Sequence, residues 1–262
     1  MKQKSELSTN KDVLGIDIGG TGIKGATINI QTGKLTKERF RIKTPHPATP
    51  DAVANTVKEI VQNFNYKGPV GAGFPAVIKN GVVFTAANVD PSWIGKNGEQ
   101  LFEAKTGCKF RMLNDADAAG IAEMHFGAGR GQRGMIMMLT LGTGVGCAMF
   151  QEGTLIPNTE LGHLTIRGKD AEHRASDSAR ERKGYSWKQW AKRINEYLAE
   201  LDRLLWPDLF IIGGGVSQEW SKFGPLLESR AKIVPAQLGN LAGIIGAAMA
   251  TVHYPQKDIQ PK

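Results

Sequence analysis

Two glycine-rich segments and two aspartates beside them carry the chemistry that can be read from this chain. Asp17-Ile-Gly-Gly-Thr-Gly22 and Leu141-Gly-Thr-Gly144 are tight turns in which glycines let backbone N–H groups point at an anion, with Thr21 and Thr143 adding hydroxyls. Plain hairpin turns have the same composition, so neither segment decides alone. Asp17 lies within an apolar stretch, where a carboxylate must be paired, protonated or metal-bound. Magnesium, which keeps most of its waters and takes one or two carboxylates beside phosphate, is the expected partner. Lys24 is either a further positive charge at the turn or a solvated lysine. Asp115 follows Asn114 at the head of a helix. It is placed either to take the proton of an attacking hydroxyl in phosphoryl transfer or to cap that helix.

The elements that must position these groups follow from periodicity. Val13 to Ile18 is a β-branched apolar run broken by Gly19, Gly20 and Gly22, and Lys24 to Ile30 resumes the alternation, so the first turn joins two strands. The dinucleotide fingerprint Gly20-x-Gly22-x-x-Gly25 is therefore set aside, because its third glycine belongs in a helix, and no Gly-x-x-x-x-Gly-Lys-Ser/Thr phosphate loop occurs. Thr49 caps, Pro50 opens and Val53, Val57, Ile60, Val61 and Phe64 stripe a first helix. Phe110 to Leu113 predicts a short strand delivering Asn114 and Asp115 to the helix Ala116 to His125. Trp187 to Trp206 predicts a long amphipathic helix, Asp208 to Ile212 a strand ending at Gly213, Gly214 and Gly215, and Leu241 to Val252 a closely packed terminal helix. Alternation of this kind indicates the α/β class.

The pattern of residues 17–28 recurs at 139–150, with Gly20, Thr21, Gly22 and Ala26 falling on Gly142, Thr143, Gly144 and Ala148. Such a repeat predicts a duplicated architecture. The expected division is a smaller α/β domain over 1–118 and a larger one over 119–262, with the terminal helix packing back on the first and a cleft between them.

Composition narrows the class. With 262 residues, 41% of them hydrophobic and 22% charged, the chain can bury a sizeable core as a globular protein. Met1 to Asp12 is too polar for a secretory signal. The most apolar stretches, Met135 to Phe150 and Leu241 to Val252, contain glycines or fall short of the roughly 20 residues a spanning helix requires, so no membrane association is expected. Two cysteines, Cys108 and Cys147, make neither a disulfide framework nor a four-thiolate zinc site and suit a reducing cytoplasm. The net charge of +8 favours anionic partners without choosing among them.

Taken in order, Asp17-Ile-Gly-Gly-Thr, Asn114-Asp115, Leu141-Gly-Thr-Gly144, Glu160-x-Gly-His163 and Gly213-Gly-Gly215 resemble the ROK sugar kinases over residues 13–250. Gly71-Ala-Gly-Phe-Pro-Ala76, Ala87-Asn-Val-Asp90 and Asp170-Ala-Glu-His-Arg-Ala-Ser176 most resemble the family's polyphosphate-using glucokinase branch. The resemblance implies an actin-like ATPase (ribonuclease H-like) fold and a kinase that phosphorylates the 6-hydroxyl of glucose with Mg²⁺. It makes Asp115 the general base, with Asn88, Asn114, Glu160, His163 and Glu172 holding the other hydroxyls. Carboxylates and amides that each bond two groups of a sugar select it through the cost of leaving polar groups unpaired. Gly19, Gly20, Thr21, Gly22, Lys24, Thr140, Gly142, Thr143 and Gly144 would then hold the donor phosphates, and Gly213, Gly214 and Gly215 the adenosine of a nucleotide donor. It also implies a homodimer, or a tetramer of dimers. Many ROK proteins carry a zinc-binding cysteine cluster after this histidine; residues 164–190 contain no cysteine, so zinc is not expected. Nor is the DNA-binding domain of the family's repressors, because fewer than 15 residues precede the first strand.

Between Arg167 and Arg193 there are nine Lys/Arg against four Asp/Glu, a net of +5 out of the chain's +8. Arg167, Lys169, Arg174, Arg180, Arg182 and Lys183 could form a track for a polyanion, since ionic contacts add along a chain of phosphates. A solvated basic surface is the alternative. Nucleic acid is not expected, because Trp190 falls on the apolar face of its helix rather than among the basic residues as a stacking platform. The donor is therefore expected to be inorganic polyphosphate, with ATP as a second donor. An ATP-dependent kinase of glucose, mannose or a related hexose is the rival enzyme reading. A sugar sensor would not need a base at Asp115, and an actin-like filament subunit would not need Glu160 and His163.

Overall fold

The computed structural model describes residues 12–87 and 89–253. The first half runs β1 (Asp12–Ile18), β2 (Ile23–Asn29), β3 (Lys34–Leu35), β4 (Phe40–Ile42), α1 (Pro50–Asn63), β5 (Val70–Phe74), β6 (Ile78–Lys79), β7 (Val82–Val83), α2 (Gly98–Thr106), β8 (Phe110–Asn114) and α3 (Asp115–Phe126). The second runs β9 (Met135–Leu141), β10 (Val145–Gln151), β11 (Thr154–Ile156), β12 (Thr165–Ile166), β13 (Lys169–Asp170), α4 (Glu172–Ala175), α5 (Asp177–Lys183), α6 (Trp187–Leu205), β14 (Leu209–Gly213), α7 (Trp220–Phe223), β15 (Lys232–Pro235) and α8 (Ala242–His253).

Local chemistry accounts for the helices that periodicity predicts. The Thr49 hydroxyl accepts the Ala52 N–H, Pro50 opens α1, and Val53, Val57, Ile60 and Val61 are its buried stripe. In α6, Trp190, Ile194, Tyr197, Leu198 and Leu201 are buried, and a reciprocal cap between Ser186 and Gln189 sets the start. This helix ends at Leu205 rather than Trp206, which adopts a left-handed φ of 53° and is 68% exposed.

The two main sheets have the same plan. Their orders are β3-β2-β1-β5-β8, with β4 also on β2, and β11-β10-β9-β14-β15. In each, an antiparallel hairpin (β1 with β2, β9 with β10) is extended by two parallel strands. The repeated segment thus occupies the same place in both halves, with the glycine turn as the hairpin loop.

Three apolar cores follow among the described residues. One packs Val53, Val57 and Ile60 of α1 with Trp93 and Phe102 on one face of the first sheet, and another packs Trp190, Ile194 and Leu198 of α6 on the second. The third lies between the sheets, where Ile121 and Ala122 of α3 and Ile244, Ile245 and Ala248 of α8 meet Val13, Ile28, Ile136 and Phe150. Glycines on both the sheet and α8 are needed for this. A Cβ at Gly71 would come within 1.7 Å of the Ala247 carbonyl oxygen, and one at Gly246 within 1.6 Å of that of Ala118. No helix among the described residues is long and apolar enough to cross a membrane.

Candidate active site

The β1–β2 register sets Asp17 directly opposite Lys24, and Lys24 Nζ lies 3.1 Å from Asp17 Oδ2. The carboxylate expected to need a metal is half-buried and has a protein partner. Lys24 is correspondingly not a free, solvated lysine. On its other side Asp17 meets the first turn of α8, where a Cβ at Gly243 would lie 3.2 Å from the Asp17 carboxyl carbon.

Capping of α3 belongs to Asn114. Its Oδ1 accepts the N–H groups of Ala116 at 2.8 Å and Asp117 at 3.1 Å, and its Nδ2 donates to the Ala76 carbonyl at 3.3 Å. Asn114 is thereby tied to the backbone, with one amide hydrogen left over. Asp115, relieved of the cap, accepts the Ala116 N–H at 2.8 Å. Burial first, and then the negative charge of Asp17, push the Asp115 carboxyl up to about 7. A carboxylate in this range is matched to proton abstraction near neutral pH.

Between the halves is a cavity of about 170 Å³ whose walls include Asp17, Lys24, Asp115, Thr140, Gly214, Gly215 and Gly243. It brings together residues from β1, β2, α3, β9 and the loop after β14, as parallel strands of an α/β protein do at their carboxyl ends. Gly214 is forced: its φ is 88°, and a Cβ there would lie 2.3 Å from the Leu141 carbonyl oxygen. Gly20, Gly142 and Gly215 are different, because a Cβ at any of them would meet no protein atom within 4 Å and none has a left-handed φ. Neither packing nor strain within the chain asks for glycine there.

Each turn is held from outside its hairpin. In the first, the Thr44 hydroxyl donates to the Gly19 carbonyl at 2.5 Å, and Arg41 Nη2 donates to the Thr21 carbonyl at 3.2 Å beside Gly22. In the second, the Ser178 N–H at the head of α5 donates to the Gly142 carbonyl at 3.1 Å, and Glu172 Oε2 accepts the Val145 N–H at 3.4 Å next to Gly144. Thr143 sits at the tip of this turn.

The predicted sugar residues form a neighbouring group. Glu160 Oε2 is 3.8 Å from His163 Nε2, while His163 Nδ1 is 2.9 Å from Asp170 Oδ2. Burial raises the Glu160 carboxyl, and the Asp170 hydrogen bond raises the His163 imidazole. The Glu160 charge reaches Asp115, and the Glu172 charge reaches His163, so these groups share one electrostatic neighbourhood. His163, Asp170 and Glu172 are the one group of such side chains, among the described residues, whose ligand-type atoms lie within 4.8 Å of one another. The His163–Asp170 hydrogen bond and the Glu172 bond to Val145 account for that closeness. Asn88 lies outside the described residues.

The basic stretch divides in two. Lys169, Arg182 and Lys183 line an open concavity of about 470 Å³ with Asp170 and His173. Arg167 and Arg174 instead turn to Glu196, and Arg180 is bound to Asp177 at 2.7 Å with its guanidinium 4.3 Å from the Trp187 ring centre. The continuous six-residue track expected from sequence is therefore three available cations and three arginines engaged by local partners.

Four contributors were not among the candidate site residues. Asp170 and Arg41 reach the site through strand pairing, and Asn158 joins the halves by accepting the Ile78 N–H at 2.9 Å and donating its own N–H to Asp117 Oδ2 at 2.8 Å. Asp117 is 1% exposed and its carboxyl is raised to about 7 by burial. The signal for Asp117 was present in Asn114-Asp-Ala-Asp117, a second acid in a helical first turn, and that for Asp170 in its place at the head of the segment Asp170 to Ser176; Arg41 and Asn158 carry none.

A duplicated α/β fold with a glycine turn in each half and an aspartate at the cleft defines the actin-like ATPase class, and residues 13–179 match the ROK family, to which the chain belongs. It is 50% identical over 246 residues, spanning 94% of this chain and 93% of the relative, to the polyphosphate glucokinase of Mycobacterium tuberculosis. Identity to the polyphosphate glucokinase of Mycobacterium leprae (strain TN) is 48% over 238 residues, 90% of this chain and 74% of that one. The crystal structure of the inorganic polyphosphate/ATP-glucomannokinase from Arthrobacter sp. strain KM aligns with a TM-score of 0.88 and 47% identity, covering 92% of this chain and 98% of that one.

Proposed function

We propose that the protein is a glucokinase that transfers a phosphoryl group from inorganic polyphosphate, and also from ATP, to the 6-hydroxyl of glucose. The observation that carries this reading is Asp115: uncapped, raised to about 7, and in one cavity with the Asp17–Lys24 pair and the Gly214 loop. Asp115 takes the proton of the 6-hydroxyl as that oxygen attacks the terminal phosphorus in line with the departing phosphate. The backbone N–H groups of the two hairpin turns and the Lys24 ammonium face the donor oxygens. Gly20 and Gly142, for which the chain itself has no need, leave room for phosphate to approach the backbone. Glu160, His163, Glu172, Asn88 and the spare amide hydrogen of Asn114 hold the remaining hydroxyls.

Asp17, a carboxylate at the cavity wall beside a phosphate-binding turn, fits the outer sphere of a hydrated Mg²⁺ that accompanies the donor. When bound, such an ion neutralises phosphate charge. Lys169, Arg182 and Lys183 would hold further phosphates of a long donor; the names of the relatives support a donor of this kind. A second acceptor, mannose, is favoured by the glucomannokinase activity named for the Arthrobacter protein.

The test is glucose 6-phosphate formation by the purified protein with Mg²⁺, comparing nucleotide-free polyphosphate with ATP at matched phosphoanhydride concentration. Turnover with polyphosphate supports the donor assignment. Turnover with ATP alone would retain the kinase and Asp115 and remove the polyphosphate reading.

A further inference from the structure

We infer that Asp170 is a positioning residue for sugar recognition, setting the orientation and tautomer of His163; the inference rests on the glucokinase reading only for its kinetic consequence. The side chain of His163 is 49% exposed and sits on a single 3-10 turn, Leu161–His163, so packing alone does not fix its ring. What fixes it is Asp170 Oδ2, 2.9 Å from Nδ1. Asp170 is itself placed by backbone pairing. In the β12–β13 ladder it lies opposite Thr165, and the Ala171 N–H continues the pairing to the Leu164 carbonyl at 2.9 Å. A carboxylate seven residues away is thus aimed at the histidine by a structure of two-residue strands.

The consequence is chemical. A carboxylate only accepts, so Nδ1 must carry a proton and Nε2 is the atom left for a ligand. Nε2 faces Glu160 Oε2 at 3.8 Å, near enough for both to act on one hydroxyl. The groups that face this imidazole are Asp170, Glu160 and Glu172, all acidic, and they favour its protonated form. With Nδ1 holding its proton against Asp170, Nε2 accepts from the hydroxyl when the ring is neutral and donates to it when the ring is protonated, and in the second case Glu160 accepts the hydroxyl proton. Without Asp170 the ring can turn, and the unbound histidine tautomer no longer has a reason to leave Nε2 facing Glu160.

The experiment compares wild type, Asp170→Ala and Asp170→Asn, with His163→Gln used to assign the resonance. Nitrogen-detected NMR of the imidazole in sugar-free protein reads the tautomer directly, whatever the substrate proves to be. Above the imidazole pKa, wild type and Asp170→Asn are expected to keep Nδ1 protonated, and Asp170→Ala to shift towards Nε2–H, with a lower pKa in both variants. In kinetics, Asp170→Ala should raise the glucose KM about tenfold, the loss of one charged hydrogen bond, while kcat stays within about twofold. Asp170→Asn, whose amide oxygen still accepts the Nδ1 proton, should restore most of that KM. An unchanged tautomer in Asp170→Ala would overturn the inference even if glucose is phosphorylated. So would equal damage from Ala and Asn, which would make charge or metal ligation, rather than orientation, the role of Asp170. Absence of glucose turnover in wild type would count against the kinase reading alone, since the NMR result stands without it.

Discussion

Glu123, eight residues along the helix that begins at Asp115, accepts the backbone N–H of Leu238 at 2.7 Å. The same oxygen takes the Gln237 N–H at 2.9 Å, and the other takes that of Ala128 at 2.8 Å, so a fully buried carboxylate ties the catalytic helix to a loop whose neighbours Ala236 and Gly239 line the cavity. A glutamine there has one accepting oxygen, and leaving a buried N–H unpaired costs about 1–3 kcal/mol. Glu123→Gln is expected to lower Tm by about 2–10 °C in thermal denaturation and to raise the donor KM more than the glucose KM.

Asp115→Asn should bind glucose within a few-fold of wild type, by calorimetry, and lose a factor of roughly 100 or more in kcat, the scale of a general base. Because the carboxyl sits at about 7 in the free protein and only its ionised form accepts a proton, kcat/KM should rise with pH through about 7 and level off above it. A profile flat from pH 5 to 8 would move the base elsewhere.

Neutralising Lys169, Arg182 and Lys183 together should weaken polyphosphate use and its salt dependence more than ATP use, since each lost phosphate contact shallows the salt slope. Arg180→Ala is expected to behave differently. Its guanidinium is spent on Asp177 and Trp187, so the loss should appear in Tm rather than in the choice of donor. Steady-state kinetics with both donors across a salt series separates the two outcomes.

Asp117 makes stability depend on pH. Its carboxyl is raised from 3.8 to about 7 in the folded chain, so between those values the folded state keeps a proton that the unfolded state releases, and stability falls as pH rises. Asp117→Asn keeps an acceptor for the Asn158 N–H and removes this titration. The Tm of the variant relative to wild type should therefore be more favourable at pH 8 than at pH 5, measured by scanning calorimetry.

Much of this was open to reading from residues alone because the signals are local. Thr49 and Pro50 announce α1 within its own first turn, and the glycine turns announce hairpins because strands flank them. The choice between cap and base at Asp115 was not local in the same way: it depended on where the Asn114 side chain turned, and both outcomes suit Asn-Asp at a helix head. Arg167 and Arg174 read as free charge because Glu196 is more than 20 residues away in sequence, brought close only when α6 packs beside α4. Arg180 and Asp177, three apart on one helix, could have been paired from spacing. Asp170 reaches His163 through a ladder too short to leave any periodic trace.

The pair α3 and α8, one from each half, forms the layer between the sheets, and α8 lies on β1 at Gly15 and on β5 at Gly71. During synthesis the first sheet therefore emerges from the ribosome long before the helix that covers its inner face, which begins at residue 242. Until then one side of β1 and β5 remains bare, and contacts between the two ends of the sequence must wait for nearly the whole chain. A nascent chain of this protein presents a sheet face for a chaperone to shield, and a nonsense mutation just before α8 would remove part of the core of the half already made.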